Sequence, residues 1–245
     1  MNRVGVVTQA RTGSTRLPGK VLIEAAGRTM LDHHLDRLIA AGLDVYVATT
    51  DSADDDRVAD LAQRRGIAVF RGSEEDVLSR FAGCVRAHDL DVVVRVTSDC
   101  PLIDGGVVAD GVTRFLQLRE QHGDDVYLSN TLERTYPRGF DFEVVAGSAL
   151  LRADREATAG RDREHVTPWL YAGPHRMPHI VQVRRSVDRS SYRVTLDTVE
   201  DLELIRRLFE DHDAATLDCD GVIAVLDAHP ELVALNADVA QRELG

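Results

Sequence analysis

Val4-Gly5-Val6-Val7-Thr8 runs directly into Gln9-Ala10-Arg11-Thr12-Gly13-Ser14-Thr15-Arg16-Leu17-Pro18-Gly19-Lys20. The first five residues are a short apolar run, which predicts a buried strand. The following segment holds Gly13, Gly19, small polar Ser14 and Thr15, and the cations Arg11, Arg16 and Lys20, and predicts a loop. Glycine lets a backbone turn tightly and approach a ligand closely. Exposed amides in such a turn form a concavity for anions. Arginine adds a bidentate fork for phosphate oxygens and lysine a mobile point charge. In open α/β sheets ligands bind beyond the carboxyl ends of the strands, where this loop falls. We read it as a polyphosphate cradle, with a solvated basic turn as the alternative. It is not a Walker A loop: five residues separate Gly13 from Gly19 where that motif has four, and Lys20 precedes Val21. It is not the dinucleotide G-x-G-x-x-G either.

Outward from this loop, apolar periodicity alternates between strand and helix. Helical stretches are predicted at 29–41, 54–65, 74–88 and 105–120, and strands at 44–49, 67–70 and 91–97, the last being the candidate central strand. Ser73 is expected to open the third helix, with acids at 74, 75 and 76 on its positive end. The order predicts a largely parallel sheet covered by helices. Later, strands are expected at 126–129, 140–145, 179–184 and 192–196. Helices are expected near 147–157, 161–172 and 199–211, with two short ones closing the chain. The expected organisation is one α/β domain, 1–245, with a strand-rich insertion at about 126–185 that covers the cleft or forms a subunit interface.

Composition narrows the function. The chain has 245 residues, 44% of them apolar, enough for a full core. A net charge of −12 argues against a general nucleic-acid binder, yet leaves room for a nucleotide in one basic cleft. No apolar run is long enough to span a bilayer. Residues 1–10 are too short and polar for a signal peptide. Cys84, Cys100 and Cys219 lack metal-ligand spacing, and a reduced cytoplasmic protein is expected. Of 29 basic residues only one is lysine, Lys20, and it falls inside the glycine- and arginine-rich loop.

Several carboxylates and cations stand where ligands would be. Asp99 follows the apolar strand 91–97 and should face the crevice beside Ser98. Asp197 lies between a predicted strand and helix, as either a helix cap or a cation ligand; Thr198 with Asp201 can cap that helix alone. Arg71 is a candidate for the base or ribose. Asp141 and Glu143, two apart in a predicted strand, share a face that is either solvent or an acceptor pocket. Arg138 beside them suits an acceptor carboxylate. His165 is either structural or catalytic. Asp51, Asp54, Asp55 and Asp56 resemble a metal cluster but are read as a solvated helix start.

The segment QARTGSTRLPGKVL resembles the signature of the cytidylyltransferase family that includes CMP-sugar-acid synthetases and the SpsF-type spore-coat polysaccharide proteins. The resemblance continues through RGSEEDVLSRF (71–81), RVTSDCPLI (95–103), YPRGFDFEV (136–144), REHVTPWLY (163–171) and LDTVEDLELI (196–205). It implies a nucleotide-binding fold of the GT-A kind, CTP as donor, Mg²⁺, pyrophosphate release, a role in polysaccharide biosynthesis and a homodimer. It also implies metal-binding roles for Asp99 and Asp197. Ser98 departs from the glycine of many relatives. The expected nucleotide-binding set is Gln9, Ala10, Arg11, Gly13, Ser14, Arg16, Lys20, Arg71 and Ser98; Lys20, Arg11, Arg16, Asp99 and Asp197 would carry catalysis. The expected reaction is CMP transfer from CTP to a hydroxyl of a small acidic acceptor. The alternatives are a nucleotide-sugar-dependent glycosyltransferase and a non-catalytic nucleotide-binding protein.

Overall fold

The computed structural model describes residues 2–240. The opening valines form β1 (Val4–Gln9), and the loop after it ends in a 3₁₀ turn at Lys20–Leu22. A two-stranded hairpin not anticipated from sequence, β2 (Glu24–Ala25) with β3 (Arg28–Thr29), leads into α1 (Met30–Ala40). Thr29 caps α1 by accepting the amide of Asp32. Then follow β4 (Val45–Thr50), α2 (Asp56–Arg64), β5 (Ala68–Gly72), α3 (Val77–His88), β6 (Val92–Thr97) and α4 (Gly105–His122). The second half supplies β7 (Val126–Ser129), β8 (Glu143–Ala146), α5 (Gly147–Glu156), α6 (Gly160–His165), α7 (Pro168–Tyr171) and β9 (His179–Gln182). It closes with α8 (Val199–Asp211), α9 (Cys219–Ala228) and α10 (Pro230–Val233).

Seven strands make one sheet in the order β5-β4-β1-β6-β8-β7-β9. β5, β4, β1 and β6 are parallel neighbours; β8 runs against both β6 and β7, and β9 is parallel to β7. The sheet is therefore mostly parallel, as the alternation of elements requires. From β1 the chain moves outward to β4 and β5, then returns to lay β6 on the other side of β1. That reversal opens a crevice at the carboxyl ends of β1 and β6. The segment 126–185 adds three strands to this same sheet and carries α5, α6 and α7.

Val92, Val93 and Val94 are fully buried, as expected of a central strand covered on both faces. The largest core cluster joins them to Phe81, Phe115, Tyr127 and Phe142. A second forms around Phe140, Leu196, Leu204, Ile205 and Phe209, and a third around Leu31, Leu35, Val47 and Val58.

Four local expectations are corrected. Residues 192–196 form no strand: Val194 donates to Arg138 O and Leu196 to Asp99 O, so the segment serves two different partners and builds no ladder. The strand expected from 140 begins only at Glu143, because the Asn130 amide takes up Phe140 O and Phe142 N in place of a neighbouring backbone. The helix expected over 161–172 breaks at Val166, whose φ is 73°, and restarts with Pro168 at its first turn. The cap of α3 is Asp76, which accepts from the amide of Ser79; Ser73 sits outside the helix and accepts from the amide of Asp76.

Candidate active site

The loop between β1 and the first 3₁₀ turn is folded on its own backbone. Thr12 O accepts the amides of Ser14 at 2.8 Å and Gly19 at 2.9 Å. Gly19 adopts φ 67°, a left-handed conformation that a side chain would strain. The loop is also clamped from outside. Asp55, 2% exposed, accepts the Thr12 amide at 2.6 Å, the Thr12 hydroxyl at 2.8 Å and the Thr50 hydroxyl at 2.5 Å. Burial works against the Asp55 charge, but these donors win and hold its pKa below the ordinary carboxylate value. The reading of Asp51 to Asp56 as a solvated helix start therefore fails at Asp55, whose carboxylate is the loop's anchor.

Lys20 leaves this loop to meet two carboxylates from distant parts of the chain. Its Nζ donates to Asp99 Oδ2 at 3.0 Å and Asp197 Oδ1 at 2.6 Å. Asp197 Oδ2 accepts from Arg16 at 2.9 Å and lies 3.4 Å from Arg193. Burial opposes the Lys20 charge, but the two carboxylates outweigh it and raise its pKa. Burial likewise opposes the Asp99 charge, and Lys20 more than compensates, so its pKa is lowered. Asp197 is not the cap of α8. Thr198 is, in a full capping box with Asp201, which leaves the Asp197 side chain to face the cations. Asp201 in turn holds Arg193 with two hydrogen bonds, at 2.8 and 2.9 Å, in the interior.

Two adjoining cavities meet at this cluster. The smaller, about 280 Å³, is lined by Gln9, Ala10, Arg11, Gly13, Ser14, Arg16, Lys20, Ser98, Asp99, His165 and Asp197. Sequence reasoning thus placed most of one wall. Arg71 does not line it: its guanidinium spans Thr50 O, Ser52 O and Asp56 at the end of β4. The larger cavity, about 970 Å³, holds Arg138, Asp141, Glu143 and His165, and shares Arg16, Asp99 and Asp197 with the first. Glu143 is buried rather than solvent-facing; it pairs with Arg95 at 2.5 Å and accepts from Tyr127 and Thr167 hydroxyls. Asp141 is spanned by both Nη atoms of Arg134.

The sequence profile of the cytidylyltransferase family matches residues 6–222. The chain belongs to the cytidylyltransferase family. It is 34% identical over 220 residues to the spore coat polysaccharide biosynthesis protein SpsF of Bacillus subtilis, covering 86% of this chain and 88% of that one. It is 32% identical over 244 residues to the 3-deoxy-manno-octulosonate cytidylyltransferase of Solibacter usitatus, covering 83% and 93%. The solved structure of a cytidylyltransferase from Leptospira borgpetersenii superposes with a TM-score of 0.89 at 31% identity, over 99% of this chain and 100% of that one.

In this cytidylyltransferase-family chain several cleft residues escaped the sequence reading. Arg95 lines both cavities, tied to Glu143 and, at 3.3 Å, to Gln9 Oε1. Its signal was a lone cation inside the valine run of β6. Arg134 and Arg161 line the larger cavity and Arg80 the smaller; each reads in sequence as one more helix or loop arginine. His34, fully buried on α1, accepts the Thr8 hydroxyl at Nε2 and donates from Nδ1 to Cys100 O, both at 2.9 Å. It thereby ties the end of β1 to the Asp99 loop. Burial pushes its pKa down to about 4, so the ring is neutral near pH 7.

Proposed function

We propose that this chain transfers CMP from CTP to a hydroxyl of a small acidic acceptor, such as a sugar acid, and releases pyrophosphate. The observation that carries this reading is the meeting of Lys20, Arg16, Asp99 and Asp197 where the basic loop cavity joins the larger cavity. The triphosphate would lie along the loop, and the acceptor would approach from the larger cavity. The α-phosphate would then sit between them, beside Arg16, Asp99 and Asp197, which line both cavities.

The acceptor oxygen bonds to the α-phosphorus while the bond to the bridging oxygen of pyrophosphate breaks. Arg16 and Lys20 would neutralise the leaving group, and the folded amides of the loop would hold the β- and γ-phosphates. Catalysis of this kind rests on positioning and fixed charge. Arg138 would take the acceptor's acidic group. It makes no ion pair among the described residues, and burial and the neighbouring Arg134 both press against its charge, lowering its pKa. An incoming anion relieves that cost.

Mg²⁺ is the proposed cofactor. Asp99 and Asp197 already converge on a single cationic centre, Lys20 Nζ, through hard oxygen donors. A pair of carboxylates suits an ion that takes one or two of them and completes its shell with phosphate and water. When bound there, Mg²⁺ would supply Lewis-acid charge at the α-phosphate. A homodimer and a cytoplasmic setting complete the proposal.

The test is pyrophosphate release with Mg²⁺, each of the four common ribonucleoside triphosphates, and a panel of sugar acids and other acidic acceptors. Release that needs CTP and one acceptor supports the reaction and names the acceptor. Release of a nucleoside diphosphate from a nucleotide sugar would replace it with the glycosyltransferase reading.

A further inference from the structure

Five carboxylates line the two cavities, and the protein itself holds four of them. Lys20 takes Asp99 and Asp197, Arg134 spans Asp141, and Arg95 with two hydroxyls holds Glu143. The fifth is Glu164, which lines both cavities, as Asp99 and Asp197 do. It is exposed, and its carboxylate makes no hydrogen bond or ion pair among the described residues.

The segment that carries Glu164 is fixed on both sides. Before it, Arg163 donates to the two oxygens of Asp76 at 2.9 and 3.0 Å, to Asp154 O at 2.7 Å and to Asp154 Oδ1 at 2.9 Å. These bonds tie α6 to the cap of α3 and to α5. After it, the Thr167 amide donates to His165 O at 2.9 Å across Val166, whose φ of 73° and ψ of −53° make a γ-turn of the rare, strained hand. A β-branched residue seldom adopts that conformation. Here Val166 is fully buried in the main core, and the Thr167 hydroxyl donates to Glu143 at 2.6 Å. Strain of this kind persists only where the surroundings enforce it, and it gathers at functional sites. The turn ends α6 at His165 and keeps Glu164 and His165 on the wall that the two cavities share.

The transfer leaves one proton to place. The acceptor hydroxyl gives it up as its oxygen bonds to the α-phosphorus, while the electron pair of the breaking P–O bond leaves with pyrophosphate. A carboxylate already paired with a cation is the poorer proton acceptor, because the cation favours its charged form. Glu164 keeps its oxygens free and stands where both substrates would meet. Its exposure opens a path to water for the proton. We infer that Glu164 is the general base of the transfer: its carboxylate takes the proton of the attacking hydroxyl and passes it to solvent before the next turnover. The inference rests on the nucleotidyl-transfer reading given above, and adds to it the proton acceptor.

The test is pyrophosphate release from CTP with Mg²⁺, in single-turnover and steady-state form, with gluconate, glucuronate and N-acetylneuraminate as sugar-acid probes. The proteins are the wild type, Glu164→Gln, Glu164→Asp and His165→Gln. Thermal melting and calorimetric CTP binding establish that each variant is folded and takes its nucleotide. Glu164→Gln should lower kcat about a hundredfold or more, with the KM values for CTP and acceptor close to wild type. The solvent deuterium isotope effect on the chemical step should vanish with it. Glu164→Asp keeps the carboxylate one methylene further back and should recover part of the rate. A structural or binding role would instead raise KM or lower the melting temperature, leaving kcat and the isotope effect in place; that result overturns the inference. So does loss of the isotope effect in His165→Gln with Glu164→Gln unchanged, which gives the proton to the imidazole. Wild-type transfer with Glu164→Gln at full rate rejects the base and leaves the transfer reaction standing. A wild type that releases pyrophosphate with none of the probes overturns both.

Discussion

Lys20 and Asp197 lie 177 residues apart in the chain and 2.6 Å apart in the fold, with Asp99 completing the contact from the other side of Lys20. The three side chains come from the loop after β1, the loop after β6 and the N-terminal end of α8. Their charges sustain one another: the carboxylates raise the pKa of Lys20, and Lys20 lowers that of Asp99.

Replacing Lys20 by alanine should therefore reduce kcat for pyrophosphate release by about two to three orders of magnitude. Lys20→Arg should recover little, because a planar fork cannot take the place of a compact ammonium between two carboxylates. Steady-state kinetics with CTP and the identified acceptor check this. Near-normal turnover in Lys20→Ala would remove the residue from the mechanism.

Asp55 is a positioning residue, since it touches the loop and not the cleft. Asp55→Ala leaves the Thr12 amide and two hydroxyls without their acceptor. We expect a loss of about 2–3 kcal/mol in unfolding free energy by urea titration. The KM for CTP should rise as the loop loosens. Unchanged stability would show that the Thr12 and Thr50 donors find water instead.

Stability should begin to fall on acidification before the carboxylates titrate. His34 has a native pKa of about 4, against about 6.5 for an unfolded histidine. Above both values neither state is protonated, and His34 contributes no pH dependence. Between them the unfolded chain takes up a proton that the native chain refuses, so stability drops as pH falls. The loss reaches about 3 kcal/mol by pH 4. His33, also lowered by burial, acts in the same direction. Asp55 and Asp99, with lowered pKa values, act only from the ordinary carboxylate range downward. Urea titrations between pH 7.5 and 4 should give a shallower slope for His34→Gln than for the wild type.

Arg138→Ala should raise the KM for the acidic acceptor by about ten- to a hundredfold, the worth of one charge-assisted hydrogen bond. The KM for CTP should stay close to its wild-type value, because Arg138 lines only the larger of these two cavities. Loss of CTP affinity in this variant would reassign it.

Much of the fold was legible because its signals are local. The valines of β1 and β6, the helical stripe after Thr29 and the Thr198–Asp201 capping box all act within a few residues. The same locality explains the failures. From spacing alone Asp197 stayed open between helix cap and cation ligand, because sequence shows its neighbour helix but not Lys20 or Arg16. Asp55 looked solvated because its partners Thr12 and Thr50 come from the loop after β1 and the end of β4. Residues 192–196 looked like a strand because an extended segment needs only backbone partners, and a ladder is one of several ways to supply them.

The sequence by itself determined that strands alternate with helices, that a glycine- and cation-rich loop follows the first strand, and that carboxylates stand at Asp99 and Asp197. Those features depend on backbone preference and on side-chain period, which are properties of adjacent residues. The tertiary structure decided the strand order that sets β6 beside β1, the closure of Lys20 on both carboxylates, the burial of Arg80 in the wall of the smaller cavity and that of Asp55 behind the loop. Those depend on desolvation and charge pairing between segments that meet only after the sheet has formed, and a residue's type does not reveal which charge it will face.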